Sequence, residues 1–310
     1  MPSFSLQLTW SLATFRLKWL LRTGTRLLLF HPLDFFQYCR LPFDLAGAPG
    51  KFQAVIEDMR QVLDTEDVMA YLDHVISFHS SFEEHLRGVE RLLQTIRKFG
   101  FMLSGKKYQF APRSVKFLGH VIDKDGIRPH PDKLDIIRDW KTPQDEAELS
   151  RFLGVCTFWR LFVKGFARIA VPLHELLNKT EFVWPSQCES AFKQLKEILC
   201  GSVTLKLPDG QGRFMVSCDA SDKAVGFVLK QTDVSGGTGS LGFGGRKLNN
   251  AECNYSTTEK KCLAVIKALK DYRPYLLGRE FDLFTDHESS KCLTRTKEHS
   301  GRLWRWVVGV

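Results

Sequence analysis

The chain has 310 residues, 44% of them hydrophobic, which is enough for ordinary buried cores and indicates two or three domains. Its net charge of +9 favours contact with phosphate backbones, so we expect a protein that handles nucleic acid. The eight cysteines form no Cys-x-x-Cys pair, which argues against a zinc site or a disulfide framework. Reduced thiols predict an intracellular protein of the cytoplasm or nucleus.

The start of the chain has no acidic residue before Asp34, and its basic residues are Arg16, Lys18, Arg22 and Arg26. Its longest uncharged stretch is too short for a membrane span, so we expect no membrane association. An acid-free, Arg-bearing, Leu-rich start is also typical of a mitochondrial transit peptide. We predict instead that residues 1–34 are a basic leader unrelated to the rest of the chain.

Hydrophobic periodicity predicts a helix over residues 52–63 and two strands over 68–78, joined by a turn at Asp73 and His74. A second, amphipathic helix is predicted over 82–98. Residues 114–122 are predicted to form one strand, which ends at a hairpin turn over 123–126. One face of the second helix should be apolar and carry Leu86, Val89, Leu92, Leu93 and Ile96.

Helices dominate the next part of the predicted structure. Prolines bracket a short helix within residues 129–143, two more helices are predicted within 144–177, and another covers 184–199. The glycine-rich run 236–245 is predicted to be a flexible loop. Aromatic residues at this spacing are more often core than a nucleic-acid platform, so we assign to packing Phe152, Phe158, Trp159, Phe162 and Phe166.

Three carboxylates lie at the ends of predicted elements in the last third of the chain. Asp219 and Asp286 each close an apolar strand, and Glu259 opens a helix three residues after Ser256, which is capping-box spacing. Each acid alone would be an ordinary solvated side chain. Together they form an oxygen-only ligand set of the kind that magnesium or manganese requires for two-metal phosphodiester hydrolysis.

The flanks of these acids resemble the ribonuclease H domain of retrotransposon polyproteins, most closely the gypsy type of long-terminal-repeat element. The matching segments, in order, are residues 246–248, 254–260, 273–278 and 285–287. The resemblance implies that Asp219, Glu259 and Asp286 bind two Mg²⁺ or Mn²⁺ ions and act in catalysis. In the family a fourth acid lies on a helix after the last strand, so we expect an incomplete ribonuclease H-like domain.

The upstream half is similar to the reverse transcriptase of the same family. Residues 71–74 stand where the palm has its Tyr-x-Asp-Asp turn, which makes Asp73 a remnant of the polymerase site. Residues 148–154 and 169–173 resemble the thumb and connection region. Segments that resemble the nucleotide-contacting stretch, the lysine motif and the primer grip imply nucleic-acid binding by Gln53, Lys107, Phe117, Leu118 and Gly119.

Two departures from the family concern the polymerase acids. His74 replaces the second aspartate of the turn, and a neutral imidazole is a poor substitute for the anion that magnesium prefers. The family's other palm aspartate precedes the segment that begins at Leu41. Here the only acid in residues 1–40 is Asp34, which is too close to Leu41 to take the place of that aspartate. We therefore expect no polymerisation.

We predict a multidomain α+β or α/β chain with a partial reverse transcriptase palm over 35–128 and thumb or connection helices over 129–205. A truncated ribonuclease H-like domain, a mixed β-sheet with helices, covers 206–310. The function is that of a retrotransposon-derived fragment with lost polymerase and weak or lost nuclease activity. The alternative is a non-catalytic protein that binds nucleic acid or another partner. An RNA–DNA hybrid or duplex is the expected ligand, and the oligomeric state is open.

Overall fold

The computed structural model describes residues 4–9, 28–31, 34–37, 46–101, 103, 109–201, 203–233 and 236–286. The chain divides into two compact units, Met1–Phe117 and Leu118–Val310. Both contain β-sheet and helices, which confirms the predicted mixed α/β class. Among the described residues, no helix combines the length and the apolar character that crossing a membrane would require.

The described part of the first unit contains short strands and two long helices. The helices are α1 (Ala48–Leu63) and α2 (Phe82–Lys98), as predicted within a few residues. The strands are β1 (Phe4–Thr9), β2 (Leu28–His31), β3 (Asp34–Gln37), β4 (Val68–Tyr71), β5 (His74–His79), β6 (Gln109–Phe110) and β7 (Ser114–Phe117).

Four of these strands form a sheet in the order β4-β5-β1-β6, and β2 and β3 pair as a separate hairpin. The antiparallel hairpin β4–β5, which turns at Leu72 and Asp73, confirms the predicted pair of strands. Strand β1 pairs along its whole length with β5. Residues 4–9 therefore belong to the same sheet as the hairpin, which corrects the prediction that residues 1–34 are a separate leader.

The core of the first unit forms where α1 and α2 pack beside the hairpin. Val89, Leu92 and Ile96 of α2 are buried in it, as predicted. Leu86 and Leu93, predicted on the same face, are exposed, because the buried stripe is narrower than the apolar stripe of the sequence. Ser81 caps α2 by accepting a hydrogen bond from the backbone N–H of Glu84, at 3.2 Å.

The second unit begins with a hairpin and continues with helices. The single strand predicted over 114–122 is interrupted, because Leu118 and Gly119 adopt positive φ angles of 47° and 81°. The hairpin turn at residues 123–126 is confirmed. The elements are β8 (His120–Asp123), β9 (Gly126–Pro129), α3 (Pro131–Arg138), α4 (Glu146–Phe158), α5 (Phe166–Ile169), α6 (Val171–Leu176) and α7 (Ser186–Cys200).

Most of the predicted aromatic core is present among these helices. Phe152, Trp159 and Phe162 are almost fully buried, and Phe166 packs at the edge of the same cluster. Phe158 was predicted to be buried but is 58% exposed. It is the last residue of α4, where the chain leaves the helix for a 3₁₀ turn and its side chain faces outward.

The rest of the second unit is a four-stranded sheet in the order β12-β11-β10-β13, with the long helix α9 packed on it. Strands β10, β11 and β12 form an antiparallel series, whereas β13 pairs parallel to β10. The elements are β10 (Phe214–Ala220), β11 (Ala224–Thr232), β12 (Thr238–Lys247), α8 (Asn250–Cys253), α9 (Thr257–Asp271), α10 (Arg273–Leu276) and β13 (Phe281–Thr285).

The glycine-rich run predicted to be a flexible loop is mostly strand β12, which pairs with β11 along its length. Its glycines provide space for neighbouring side chains. A Cβ atom on Gly244 would lie 2.1 Å from the ring of Phe227, and one on Gly242 would lie 2.5 Å from Leu161. The prediction was wrong because glycine in a strand can mark close approach as well as flexibility.

A half-buried ion pair ties the end of β12 to α8. Both terminal nitrogens of the Arg246 guanidinium donate to the carboxylate of Glu252, at 2.6 and 2.7 Å. The same carboxylate accepts a hydrogen bond from the backbone N–H of Asn249, at 2.9 Å, in a capping box. The hydrogen bonds from Arg246 hold the pKa of Glu252 below its usual value of 4.5.

We predict that Glu252→Gln lowers the free energy of unfolding by about 1–3 kcal/mol at pH 7, because it removes a charge-assisted pair in a half-buried site. Since the folded pKa is depressed, the contribution of Glu252 is fully present above its usual pKa and is lost as the pH falls through the lower, folded pKa. Urea unfolding at several pH values should show the two proteins converging below about pH 4. Glu181→Gln, at an exposed position, should not change this profile; a constant difference at all pH values would contradict the assignment.

Candidate active site

Asp219 and Asp286 lie at the same edge of the second unit's sheet. The parallel register of β10 and β13 pairs Cys218 with Thr285, and the two acids are the next residues along the chain from that pair. Both acids are exposed. The carboxyl ends of adjacent parallel strands meet at one edge, which is where α/β sheets usually bind ligands.

Glu259 stands in the first turn of α9, the helix that packs against β10. Ser256 and Glu259 form the predicted capping box. The Glu259 backbone N–H donates to Ser256 Oγ at 3.3 Å, and the Glu259 carboxylate accepts from the Ser256 backbone N–H at 2.9 Å. This carboxylate is therefore engaged in capping its own helix.

Two lysines directly after Glu259 neutralise acids at this edge, and the sequence analysis missed both. Lys260 is buried, and its Nζ lies 3.0 Å from Asp222 Oδ1. Lys261 forms an ion pair with Asp286. Both lysines directly follow the capping box in the sequence, which is the signal that could have drawn attention to them. Their acidic partners could not be predicted, because they depend on which strand end the helix faces.

The residue types at this edge suit a hard divalent ion. Carboxylate oxygens are the donors that magnesium and manganese prefer, and Asp219 and Asp286 suit such an ion in both chemistry and position. Burial raises the pKa of the neighbouring Cys218 thiol to about 12, so without a metal this soft ligand stays protonated at neutral pH. Within the described residues, no three His, Cys, Asp or Glu side chains are grouped so that they could hold a metal ion. The three-acid site therefore stays a prediction.

The turn of the β4–β5 hairpin is held by a side chain that was predicted to contact nucleic acid. The backbone N–H of Leu72, which has a positive φ of 47°, donates to Gln53 Oε1 at 2.8 Å. Gln53 Nε2 lies 3.5 Å from the carbonyl oxygen of Ala70. Both polar atoms of the Gln53 amide are thus directed at the hairpin, which gives Gln53 a role in fixing the turn that presents Asp73.

His74 lies beside Asp73 and packs on a further predicted contact residue. Its Nε2 is 3.7 Å from Asp73 Oδ1, and its ring meets Phe117 edge-on, with 6.3 Å between ring centroids. Phe117 is buried, so its ring contributes to packing. Leu118 is exposed, Gly119 is at a turn, and Lys107 lies outside the described residues.

Strand β1 runs beside the hairpin and carries no acid. Its register places Leu8 opposite Val75 and Thr9 opposite His74. No position from Phe4 to Thr9 is Asp or Glu. The strand adjacent to the Asp73 turn therefore supplies no carboxylate.

Comparison with known families gives two matches that together cover most of the chain. Residues 11–122 match the family described as reverse transcriptase (RNA-dependent DNA polymerase), and residues 209–309 match the RNase H-like domain found in reverse transcriptase. The chain is 34% identical over 275 residues to the retrovirus-related Pol polyprotein from transposon 297 of Drosophila melanogaster. It is 30% identical over 282 residues to the transposon Tf2-7 polyprotein of Schizosaccharomyces pombe.

The chain belongs to the reverse transcriptase and ribonuclease H region of long-terminal-repeat retrotransposon Pol polyproteins. These alignments cover 88% and 89% of the chain but only 26% and 21% of the two relatives. The chain thus spans about a quarter of the length of the polyproteins it matches. The reverse transcriptase match starts at residue 11, inside the predicted leader, which agrees with the pairing of β1.

Solved structures show the same fold. Two structures of a foamy viral protease-reverse transcriptase, one in complex with double-stranded DNA and one with RNA/DNA hybrid, superpose with a TM-score of 0.81 each. Each alignment covers 99% of this chain, at 20% and 21% identity, and covers 55% and 42% of the viral chains. The retrotransposon region and the viral enzyme therefore share one architecture at low identity.

Proposed function

We propose that this retrotransposon region binds RNA–DNA hybrid and hydrolyses its RNA strand slowly, without templated DNA synthesis. The observation that carries the nuclease proposal is the parallel register of β10 and β13, which supports a shared site for Asp219 and Asp286. The net charge of +9 supports binding to a polyanion. The foamy viral protein of the same fold is in complex with such a hybrid.

In this proposal Asp219, Asp286 and Glu259 would hold magnesium or manganese. When bound, the ions supply an activated water and charge stabilisation at the leaving oxygen. The chain's own contribution is to fix where the ions sit. Asp219 Oδ1 accepts a hydrogen bond from the Ala220 backbone N–H, at 2.8 Å, which restrains that carboxylate at the strand end.

A second candidate function, binding without catalysis, is favoured by a separate observation. Lys261 already pairs with Asp286, and the Glu259 carboxylate already caps α9. A metal ion would have to compete with both interactions, because a carboxylate engaged by a cation or a helix cap binds an ion less well. Slow hydrolysis, or none, is the expected consequence.

We predict that Asp219→Asn lowers manganese-dependent hydrolysis of the RNA strand by at least about 100-fold, because a site of this kind contributes several kcal/mol to the transition state. The assay follows a labelled RNA strand annealed to DNA. Asp282→Asn is the matched control, since Asp282 is on β13 but pairs with Arg213 away from the strand end. Equal hydrolysis by both variants would remove the nuclease proposal. Salt-dependent hybrid binding without any hydrolysis would favour the second candidate.

A further inference from the structure

A cavity of about 400 Å³ lies within the second unit, on the face of the sheet that does not pack on α9. Side chains alternate between the two faces of a strand. Leu229 of β11 enters the core beneath α9, whereas Val228 and Lys230 line the cavity. The opposite wall is formed by α5 with the residues before it and by α7. We call this space the basic cavity.

The charges that line the basic cavity are not balanced. Lys164, Arg168 and Lys230 line it, against a single carboxylate, Asp219. Within the described residues, none of the three cations forms an ion pair, whereas the neighbouring Lys223 and Lys260 are paired with acids. Three such cations in one concave site create a positive potential that attracts anions.

The other polar groups and the volume indicate what kind of anion fits. Gln194 and Ser217 also line the cavity and offer hydrogen-bond donors that suit phosphate oxygens. A volume of about 400 Å³ is at the small end for ligand sites and suits a nucleotide unit of one strand, not a whole duplex. The remaining lining, Val228, Phe243 and the aliphatic part of α5, is apolar enough to lie against a sugar.

We propose that the basic cavity binds backbone phosphates of one nucleic-acid strand and leads that strand to Asp219. Lys164, Arg168 and Lys230 neutralise the phosphates, and Asp219 stands where the strand reaches the sheet edge. The inference rests on the proposed binding of RNA–DNA hybrid and adds the path that the strand takes. None of the three cations acts in catalysis; they are positioning residues for the substrate.

The first test compares two triple variants with the same change in net charge. One carries Lys164→Gln, Arg168→Gln and Lys230→Gln; the control carries Lys124→Gln, Arg151→Gln and Lys179→Gln, all at exposed positions outside the cavity. Hybrid binding is measured by fluorescence anisotropy over a salt series. Each lost phosphate contact lowers the salt slope by about 0.7–0.9, so the cavity variant should lose about 2 units of slope and at least about tenfold in affinity at 0.1 M salt. The control should lose much less.

The second test fills the cavity without changing charge. A Cβ atom on Gly226, which lines the cavity, would meet nothing within 4 Å, and its backbone is outside the left-handed region. Gly226→Phe should therefore be tolerated and weaken hybrid binding at least about fivefold, an effect near 1 kcal/mol, whereas Gly226→Ala should bind like the wild type. Circular dichroism checks the folding of each variant.

The outcomes separate the two proposals. Equal affinity and salt slope in the two triple variants, together with normal binding by Gly226→Phe, would overturn the proposal that the basic cavity binds the strand. The proposed function would be left standing. A wild-type chain that does not bind hybrid at all would overturn both. Loss of binding in the cavity variants, with a much smaller loss in the control triple, is the result expected.

Discussion

Purified chain should give no primer elongation on an RNA or DNA template with either magnesium or manganese. In the family, two-metal polymerisation uses an aspartate of the hairpin turn together with one on an earlier palm strand, and here the turn supplies Asp73 beside His74. The pairing of β1 places Leu8 and Thr9 next to the turn, so the adjacent strand cannot supply the missing charge. If the missing acids remove about 5.5 kcal/mol of transition-state stabilisation, the rate of primer elongation falls about 10⁴-fold.

The variant His74→Asp should also be inactive, because it restores one acid while β1 still has none. An active retroviral reverse transcriptase on the same primer and template is the positive control. Elongation above background by the wild-type chain would contradict the prediction, provided that Asp73→Asn abolishes it. Elongation that survives Asp73→Asn would instead come from a contaminating polymerase.

The largest stability effect is expected from Phe152→Ala. The Phe152 ring is fully buried in the helical core of the second unit, with ring centroids 4.6 Å from Phe192 and 5.6 Å from Trp140. Removing it should cost about 3–5 kcal/mol, from lost transfer free energy and from the cavity left behind. That is a large part of the stability of an ordinary domain.

Phe158→Ala is the matched control for Phe152→Ala, because both residues are phenylalanines of α4. Phe158 is 58% exposed and makes an edge contact with Trp159, so its loss should cost about 1 kcal/mol or less. Urea unfolding followed by tryptophan fluorescence measures both. Similar losses for the two variants would show that the helical core is not organised around Phe152.

The sequence predicted those parts of the site that depend on neighbours along the chain. The capping box of Ser256 and Glu259 depends on two residues within one helical turn, and the structure has both of its hydrogen bonds. The bounds of α2 depend on hydrophobic spacing and are the same in the structure. The strand-end positions of Asp219 and Asp286 were likewise visible as acids at the end of apolar runs.

Features that depend on side chains distant in sequence could not be predicted. Glycines in β12 indicated a loop, because no local pattern shows that the Phe227 ring will lie over Gly244. Gln53 resembled a nucleic-acid contact, and only the packing of α1 directs its amide at the hairpin turn. The start of the chain was predicted to be a leader, because no local pattern shows that β1 pairs with β5, a strand far along the chain.

The amino-acid sequence by itself determined the family, the element types and the identity of the acids, since these are carried by residue type and by spacing within a few positions. The tertiary structure decided which of them meet. Parallel pairing of β10 with β13 brings Asp219 and Asp286 to one edge, and the packing of α9 on that sheet gives Asp286 its partner Lys261. Sheet register and helix packing are set by burial across the whole unit, so no local pattern contains them.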